Sequence, residues 1–224
     1  MNDKSYIVQK MFNQIAKNYD LMNYIMSFGN HKKWEQEIIK SVNKKNMKIL
    51  DVACGTGSLT KELIKISNQN NTIGLDFSLS MLSIAKNNGI ENTVLADGHF
   101  IPFKNKTFDM ISIAYGIRNF SNLNQALIEI KRCLANNGEL KIIEIIKPIN
   151  TFKSVLFKIG FKLIAPLLGI IISRNISAYT YLPKSAELFL TVKEIKNILN
   201  KHNFKNIKIK QKFWGSVILL ETKL

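Results

Sequence analysis

Between Lys48 and Pro148 the chain alternates short apolar runs with amphipathic stretches of helical period. That alternation is the signature of a parallel sheet covered by helices on both faces. "KILDVA" reads as a first strand and "SLTKELIKIS" as the helix after it. "NTIGLDFS" is a second strand, and "LSMLSIAKNNG" a helix ended by Gly89 as its terminal glycine. "NTVLADG" gives a third strand and "FDMISIAYG" a fourth. "NLNQALIEIKRCLANNG" is the next helix and "GELKIIEIIKP" a fifth strand. The end of the chain breaks this rhythm. Helix "VKEIKNILNKHN" precedes "FKNIKIKQKF" and "GSVILLETK", two strands with only Trp214 and Gly215 near their junction. So short a connection joins antiparallel neighbours, so one late strand runs against the others. The expected class is a Rossmann-like α/β fold: a mostly parallel, seven-stranded, doubly wound sheet with a C-terminal antiparallel hairpin and a helical N-terminal extension.

That extension is read from residues 6 to 45, where Ile7, Met11, Ile15, then Met22, Ile25 and Met26 recur near a 3.6-residue period. The 224 residues fit one domain in four parts. These are a helical cap (1–45), a cofactor-binding core (46–149), an apolar helical insertion (150–190), and a final helix with its hairpin (191–224).

The glycine loop "ILDVACGTGSL" follows the first strand. Gly55 and Gly57 let the backbone turn sharply and approach a ligand closely. Asp76 closes the second strand 19 residues after Gly57, where a carboxylate can accept from both hydroxyls of a ribose. A dinucleotide site would carry a third glycine where Thr60 stands, and Asp51 at the mouth of the loop repels a pyrophosphate. The same carboxylate suits an ammonium or sulfonium. A nucleoside with a cationic tail describes S-adenosylmethionine, and Asp97 after the third strand can then accept from the adenine amino group.

With these segments in place, the chain resembles the ubiquinone/menaquinone biosynthesis C-methyltransferase family over nearly its whole length. The resemblance rests on "MFNQIAKNYDLMNYIMSFGNHKKW", "LDVACGTGSLT", "FIPFKNKTFDMISIAYGIRNF", "EIIKP" and "AYTYLPKS". It implies methylation of a ring carbon in a prenylated benzoquinol or naphthoquinol, with S-adenosylmethionine as donor and no metal. Carried over by position, the donor contacts fall on Thr56, Asp76, Asp97 with Gly98, and Ala114, where the family often has a serine. Asp51, Gly55, Gly57, Phe77 and Met81 complete the expected donor-binding set. Ser58 replaces an acid often found after the glycine loop.

The chemistry adds constraints. An oxidised quinone is too electron-poor to attack a methyl sulfonium, whereas a hydroquinol attacks once a ring hydroxyl gives up its proton. Arg118 and Asn119, delivered by "AYGIRN" at the end of the fourth strand, are expected beside that ring. Arg118 is read as stabilising a ring oxygen or orienting a proton-accepting water, with Asn119 holding the group in place. The plain alternative for Arg118 is a helix cap or a surface salt bridge. Because it lies past the strand, folding is expected not to depend on it. Tyr19 is read as closing over the site or packing in the core, and Tyr179 and Tyr181 as lining the substrate region or packing. Asp97 is the one nearby acid for an indirect base, or serves adenine only.

Charge and apolar content bear on partners. Lys and Arg number 32 against 16 Asp and Glu, a net charge of +16, in a chain crowded with Lys, Asn and Ile. The excess fits an anionic membrane surface or nucleic acid. No RNA-binding motif is present, and "AYGIRN" is not the Asn/Asp-Pro-Pro-aromatic motif of base N-methylation. The most apolar segment, Phe152 to Ser173, is interrupted by Lys153, Lys158, Lys162 and Pro166. Its unbroken run falls short of the roughly 20 residues of a membrane span. An interfacial or cavity-lining role is expected, with a core helix as the alternative. Cys54 and Cys133 form no disulfide framework, and the N-terminus lacks a secretory core. The expectation is therefore a cytoplasmic or stromal enzyme held peripherally at a membrane. A methyltransferase acting on another amphipathic small molecule is the runner-up reading. The sequence leaves open the oligomeric state, a homo-oligomer included, and which quinol is used.

Overall fold

A computed structural model describes residues 3–40, 42, 46–147 and 176–224. Seven strands form one sheet in the order β3-β2-β1-β4-β5-β7-β6. They are β1 (Ile49–Val52), β2 (Thr72–Asp76), β3 (Thr93–Leu95), β4 (Phe108–Ala114), β5 (Leu134–Ile145), β6 (Lys205–Lys212) and β7 (Val217–Lys223). β1 to β5 run parallel, and β7 lies antiparallel between β5 and β6. This is the class expected from the sequence. β1 is buried at all four residues, as a central parallel strand covered on both faces must be.

Helices α1 (Asp3–Ile15), α2 (Tyr19–Met26) and α3 (Asn30–Ile39) precede the sheet. α4 (Ser58–Ile66), α5 (Leu79–Asn87) and α6 (Leu123–Cys133) link its strands. α7 (Ile176–Leu188) and α8 (Val192–Lys201) come before the hairpin. One apolar layer joins Leu50, Val52, Ile111 and Ile142 to Leu127 and Ile130 of α6 and Leu199 of α8. The opposite layer joins Ile49, Met110 and Ile143 to Trp34 and Ile38 of α3 and Leu63 of α4. A third cluster packs Val8, Met11, Ile15 and Met22 of the N-terminal helices onto Met81 of α5. The N-terminal helices are thereby fixed over the C-terminal edge of the sheet, where β1, β2 and β4 end.

Two boundaries differ from the sequence reading. The N-terminal helical region divides at a 3-10 turn (Ala16–Asn18) and at Gly29, with φ +71, and α3 ends at Ile39 rather than residue 45. α6 stops at Cys133 rather than Gly138, and β5 begins at Leu134 opposite Phe108. The ladder then skips to Met110 opposite Glu139, so "ANNG" is an irregularity inside the strand, with Asn137 at φ +61. The polar run had read as a helix end because Asn and Gly end helices and bulge strands alike. The expected apolar segment Phe152–Ser173 lies outside the described residues, as does the side chain of Tyr179.

Candidate active site

Three adjoining cavities open along the C-terminal edge of the sheet. A cleft is bordered by Gly55, Asp76, Phe77, Met81, Asp97, Gly98, Ala114 and Asn119. An apolar chamber is bordered by Met11, Ile15, Met22, Trp34, Arg118, Tyr181 and Phe213. A smaller recess under the glycine loop is bordered by Asp20, His31, Glu35, Asp51, Thr56 and Ser58. Tyr19 and Tyr115 border all three.

The cleft is organised by Asp76 at the end of β2. Its Oδ2 accepts from the Gly55 amide and its Oδ1 from the Ser78 amide, both at 2.8 Å. The Phe77 amide also bears on this carboxylate, which leaves one to two of its roughly four lone-pair positions for a ligand. Burial pushes Asp76 up to about 6 despite these amides. Gly55 stands at φ +57, open to the cleft with only Tyr19 near where a Cβ would be. Gly98 is bare for steric reasons: a Cβ there would lie 2.9 Å from the ring of Phe120. Asp97 has a partner that the sequence reading omitted. Its Oδ1 accepts from the His99 amide at 3.0 Å and is also bonded to His99 Nδ1.

Three expected donor contacts stand outside the cleft. Gly57, at φ +84, is the N-cap of α4 and packs against Ile90, outside the cleft. Asp51 is buried rather than at the mouth of the loop. Its oxygens take 2.6 Å hydrogen bonds from Thr60 of α4 and Ser112 of β4, so it braces the helix to the sheet beneath the recess. Burial pushes it up to about 6 as well. Thr56 also faces the recess and donates to Asp20 at 2.6 Å.

Arg118 corrects the sequence reading most strongly. It is 7% exposed, and its Nη1 donates to Glu144 Oε1 and to the Tyr115 carbonyl, each at 2.6 Å. Glu144 on β5 is fully buried. The pair is therefore internal, neither a surface salt bridge nor dispensable for folding. Burial works against the guanidinium charge, but Glu144 outweighs it and holds the pKa above the usual value. Asn119 donates to the Tyr115 carbonyl at 3.2 Å and accepts from the Tyr181 hydroxyl at 3.2 Å. Arg118, Asn119 and Tyr181 thus form one hydrogen-bonded edge between cleft and chamber. Tyr19 faces them, its pKa raised by burial even though a hydrogen bond to Asn23 and the charge of Arg118 lower it.

Glu35 was missed by the sequence reading. It is 2% exposed on α3, accepts from Ser58 Oγ at 2.8 Å, and is pushed by burial up to about 7. The signal was legible: His31, Trp34, Glu35 and Ile38 share one helical face, so Glu35 points inward with them. With Asp51 and Asp76 it makes three buried carboxylates around the glycine loop. A ribose bearing a sulfonium and an ammonium fits this surrounding. Asp76 has free acceptor positions, and a cation restores charge to acids that burial holds partly protonated.

Residues 1–222 match the ubiE/COQ5 methyltransferase family. The chain belongs to that family. It is an S-adenosylmethionine-dependent methyltransferase. A demethylmenaquinone methyltransferase of Thermus thermophilus is 36% identical over 84% of this chain and 89% of its own length. The demethylmenaquinone methyltransferase of Bacillus subtilis is 34% identical over 96% of both chains. A ubiquinone/menaquinone biosynthesis C-methyltransferase of Wigglesworthia glossinidia brevipalpis is 35% identical over 91% of this chain and 85% of its own. Among solved structures, a SAM-dependent methyltransferase of Thermotoga maritima superposes with a TM-score of 0.70 at 17% identity, over 96% of this chain and 98% of that one. Another from Aquifex aeolicus gives 0.58 at 17% identity, over 84% and 88%. These distant structures carry the fold alone.

Proposed function

We propose that the enzyme methylates a ring carbon of a prenylated hydroquinol of the demethylmenaquinol type, in isoprenoid quinone biosynthesis. The observation that carries this reading is the apolar chamber, which adjoins the donor cleft at Tyr19 and Tyr115 and has Arg118 on its border. Such a chamber takes an apolar ring and the start of its tail better than a nucleic acid strand, which needs an open basic groove.

S-adenosylmethionine, when bound, would supply an electrophilic methyl group. Asp76 holds the ribose end and, through the Gly55 amide, the shape of the loop. Met11, Ile15, Met22 and Trp34 exclude water from the ring. The Arg118 guanidinium, fixed by Glu144, would place positive charge beside a ring oxygen and so favour the hydroquinolate formed when the hydroxyl gives its proton to solvent before the ring is enclosed. Asn119 and Tyr181 keep that edge rigid, and Tyr19 closes the space between ring and donor.

Peripheral attachment to an anionic membrane belongs to the same reading. Phe28 and Trp214 are 78% and 52% exposed and flank Phe213, which borders the chamber. An aromatic rim on a chain of charge +16 suits a headgroup region through which a prenyl tail enters. No helix among the described residues is long and apolar enough to cross a membrane.

Turnover with reduced naphthoquinols and benzoquinols, side by side, tests the proposal. The reduced naphthoquinol is expected to gain one methyl group, and the same ring without reductant none. Equal initial rates with and without reductant would exclude attack by a hydroquinol.

A further inference from the structure

Three buried side-chain polar atoms among the described residues lack any hydrogen-bond partner: Tyr115 Oη, Arg118 Nε and Ser216 Oγ. All three residues border the same apolar chamber. A buried polar atom without a partner is costly, and native structures keep few of them. Three such atoms on residues that border one cavity point to a ligand that supplies the missing partners as these side chains turn toward it.

Tyr115 carries a second mark. Its φ is +58, a region that a bulky side chain rarely adopts. Its amide is held by the Ile143 carbonyl at 2.7 Å, and its own carbonyl accepts from Arg118 and Asn119. The backbone turn is thus pinned on both sides. It carries the ring of Tyr115 to the junction of the donor cleft, the chamber and the recess.

Resting on the hydroquinol reading, we propose that Tyr115 Oη and Arg118 Nε bind the ring oxygen that develops negative charge, and that Ser216 Oγ binds the opposite ring oxygen. Tyr115 follows β4 and Ser216 precedes β7, and β5 lies between those strands. Both residues therefore stand at the C-terminal edge of the sheet, on either side of β5. Tyr115 acts as a donor, since burial foremost, then the charge of Glu35, keeps its hydroxyl protonated well above the usual range. Tyr115 is then a catalytic residue and Ser216 a specificity-determining one.

The test compares wild type, Tyr115→Phe and Ser216→Ala with a reduced naphthoquinol, alongside thermal melting and donor titration. Tyr115→Phe is expected to lower kcat and kcat/KM together by roughly 10- to 100-fold, the scale of one hydrogen bond to a charged acceptor, with donor affinity unchanged. Ser216→Ala is expected to raise KM several-fold with kcat nearly kept. Both variants should melt at or above the wild-type temperature, because each loses an unsatisfied buried hydroxyl. A purely structural hydroxyl would give the reverse: lower melting and unchanged kinetics. Wild-type kinetics in both variants would overturn this assignment alone. A wild-type enzyme that methylates no reduced ring would overturn the hydroquinol reading and this assignment with it.

Discussion

Arg118 Nη1 lies 2.6 Å from Glu144 Oε1, and the two side chains are 4% and 0% exposed. The guanidinium is therefore tied to the interior while bordering the chamber. Arg118→Ala strands a fully buried carboxylate, which costs about 3–5 kcal/mol. Its loss of activity will be mixed with loss of folded protein. Arg118→Lys keeps a positive charge for Glu144 but removes Nε and the planar fork. The lysine variant is expected to melt closer to wild type than the alanine variant, with kcat lowered on the order of 100-fold. Wild-type kcat in a folded lysine variant would leave Arg118 a structural residue.

Asp76→Ala removes a carboxylate from its backbone amides as well as from the donor. Donor affinity should fall by about 2–4 kcal/mol, at roughly 1.5–3 kcal/mol for each hydrogen bond to a charged group and allowing for non-additivity. The melting temperature should fall too, since the Gly55 and Ser78 amides lose their acceptor. Calorimetric titration with S-adenosylmethionine checks the first effect, and unchanged affinity would remove Asp76 from the donor site.

The order of elements was legible because each strand and helix has its own hydrophobic period, and the close spacing at Trp214 and Gly215 set the hairpin. The place of Asp76 on the cleft was legible because it ends the second strand at the C-terminal edge, in series with the glycine loop and Asp97. Partnerships were not legible. Nothing in "GIRN" says that Arg118 turns back to β5, and positive φ at Tyr115 leaves no mark in composition. A partial signal existed in "LKIIEII", where Glu144 interrupts a buried strand and so requires a cation nearby. The roles of Gly55 and Gly57 also look alike in sequence. They separate only because Gly55 faces the cleft and Gly57 faces Ile90.

That difference is measurable. A Cβ on Gly57 would stand 2.7 Å from Ile90 Cγ1, at a φ of +84 that side chains rarely adopt. Gly57→Ala should cost about 1–3 kcal/mol of stability. Donor affinity in the fraction that remains folded should change little. A large loss of affinity without a change in melting would instead place Gly57 against the donor.

The aromatic rim makes a membrane prediction that involves only described residues. Vesicles containing anionic lipid should carry the enzyme in flotation at low salt and release it as salt rises, because the attraction is screened. Replacing both Phe28 and Trp214 by Ala should weaken flotation while leaving turnover of a short-tailed hydroquinol near wild type. Flotation that is absent at every salt concentration would reject the proposal.

The three carboxylates around the glycine loop predict a pH dependence of definite sign. Burial raises Glu35 from 4.5 to about 7, and Asp51 and Asp76 from 3.8 to about 6. Folded pKa values above unfolded ones mean that the donor-free folded state binds more protons, so its stability falls as pH rises through this window. The contribution is complete below the unfolded values and lost once the pH passes about 7. Carboxylates with lowered values, such as Glu129 and Glu139, act in the opposite sense but below 4.5, their unfolded value. Between about pH 5 and 7 the raised carboxylates pull stability down as pH rises, while His31 and His202, whose values burial lowers from 6.5, pull it up. The carboxylate share is therefore read by comparing wild type with a carboxylate variant. A cationic donor reverses the preference of the carboxylates by favouring the ionised forms. Its affinity should rise over the same window, and binding near pH 6 should release protons. Calorimetry in two buffers of different ionisation enthalpy measures that release directly. Glu35→Gln should remove the carboxylate slope of the donor-free melting profile between about pH 6 and 7 and make the profile shallower below that, where Asp51 and Asp76 still contribute. A Glu35→Gln profile that parallels wild type across this window, or proton uptake on donor binding, would show that these acids are already ionised before the donor arrives.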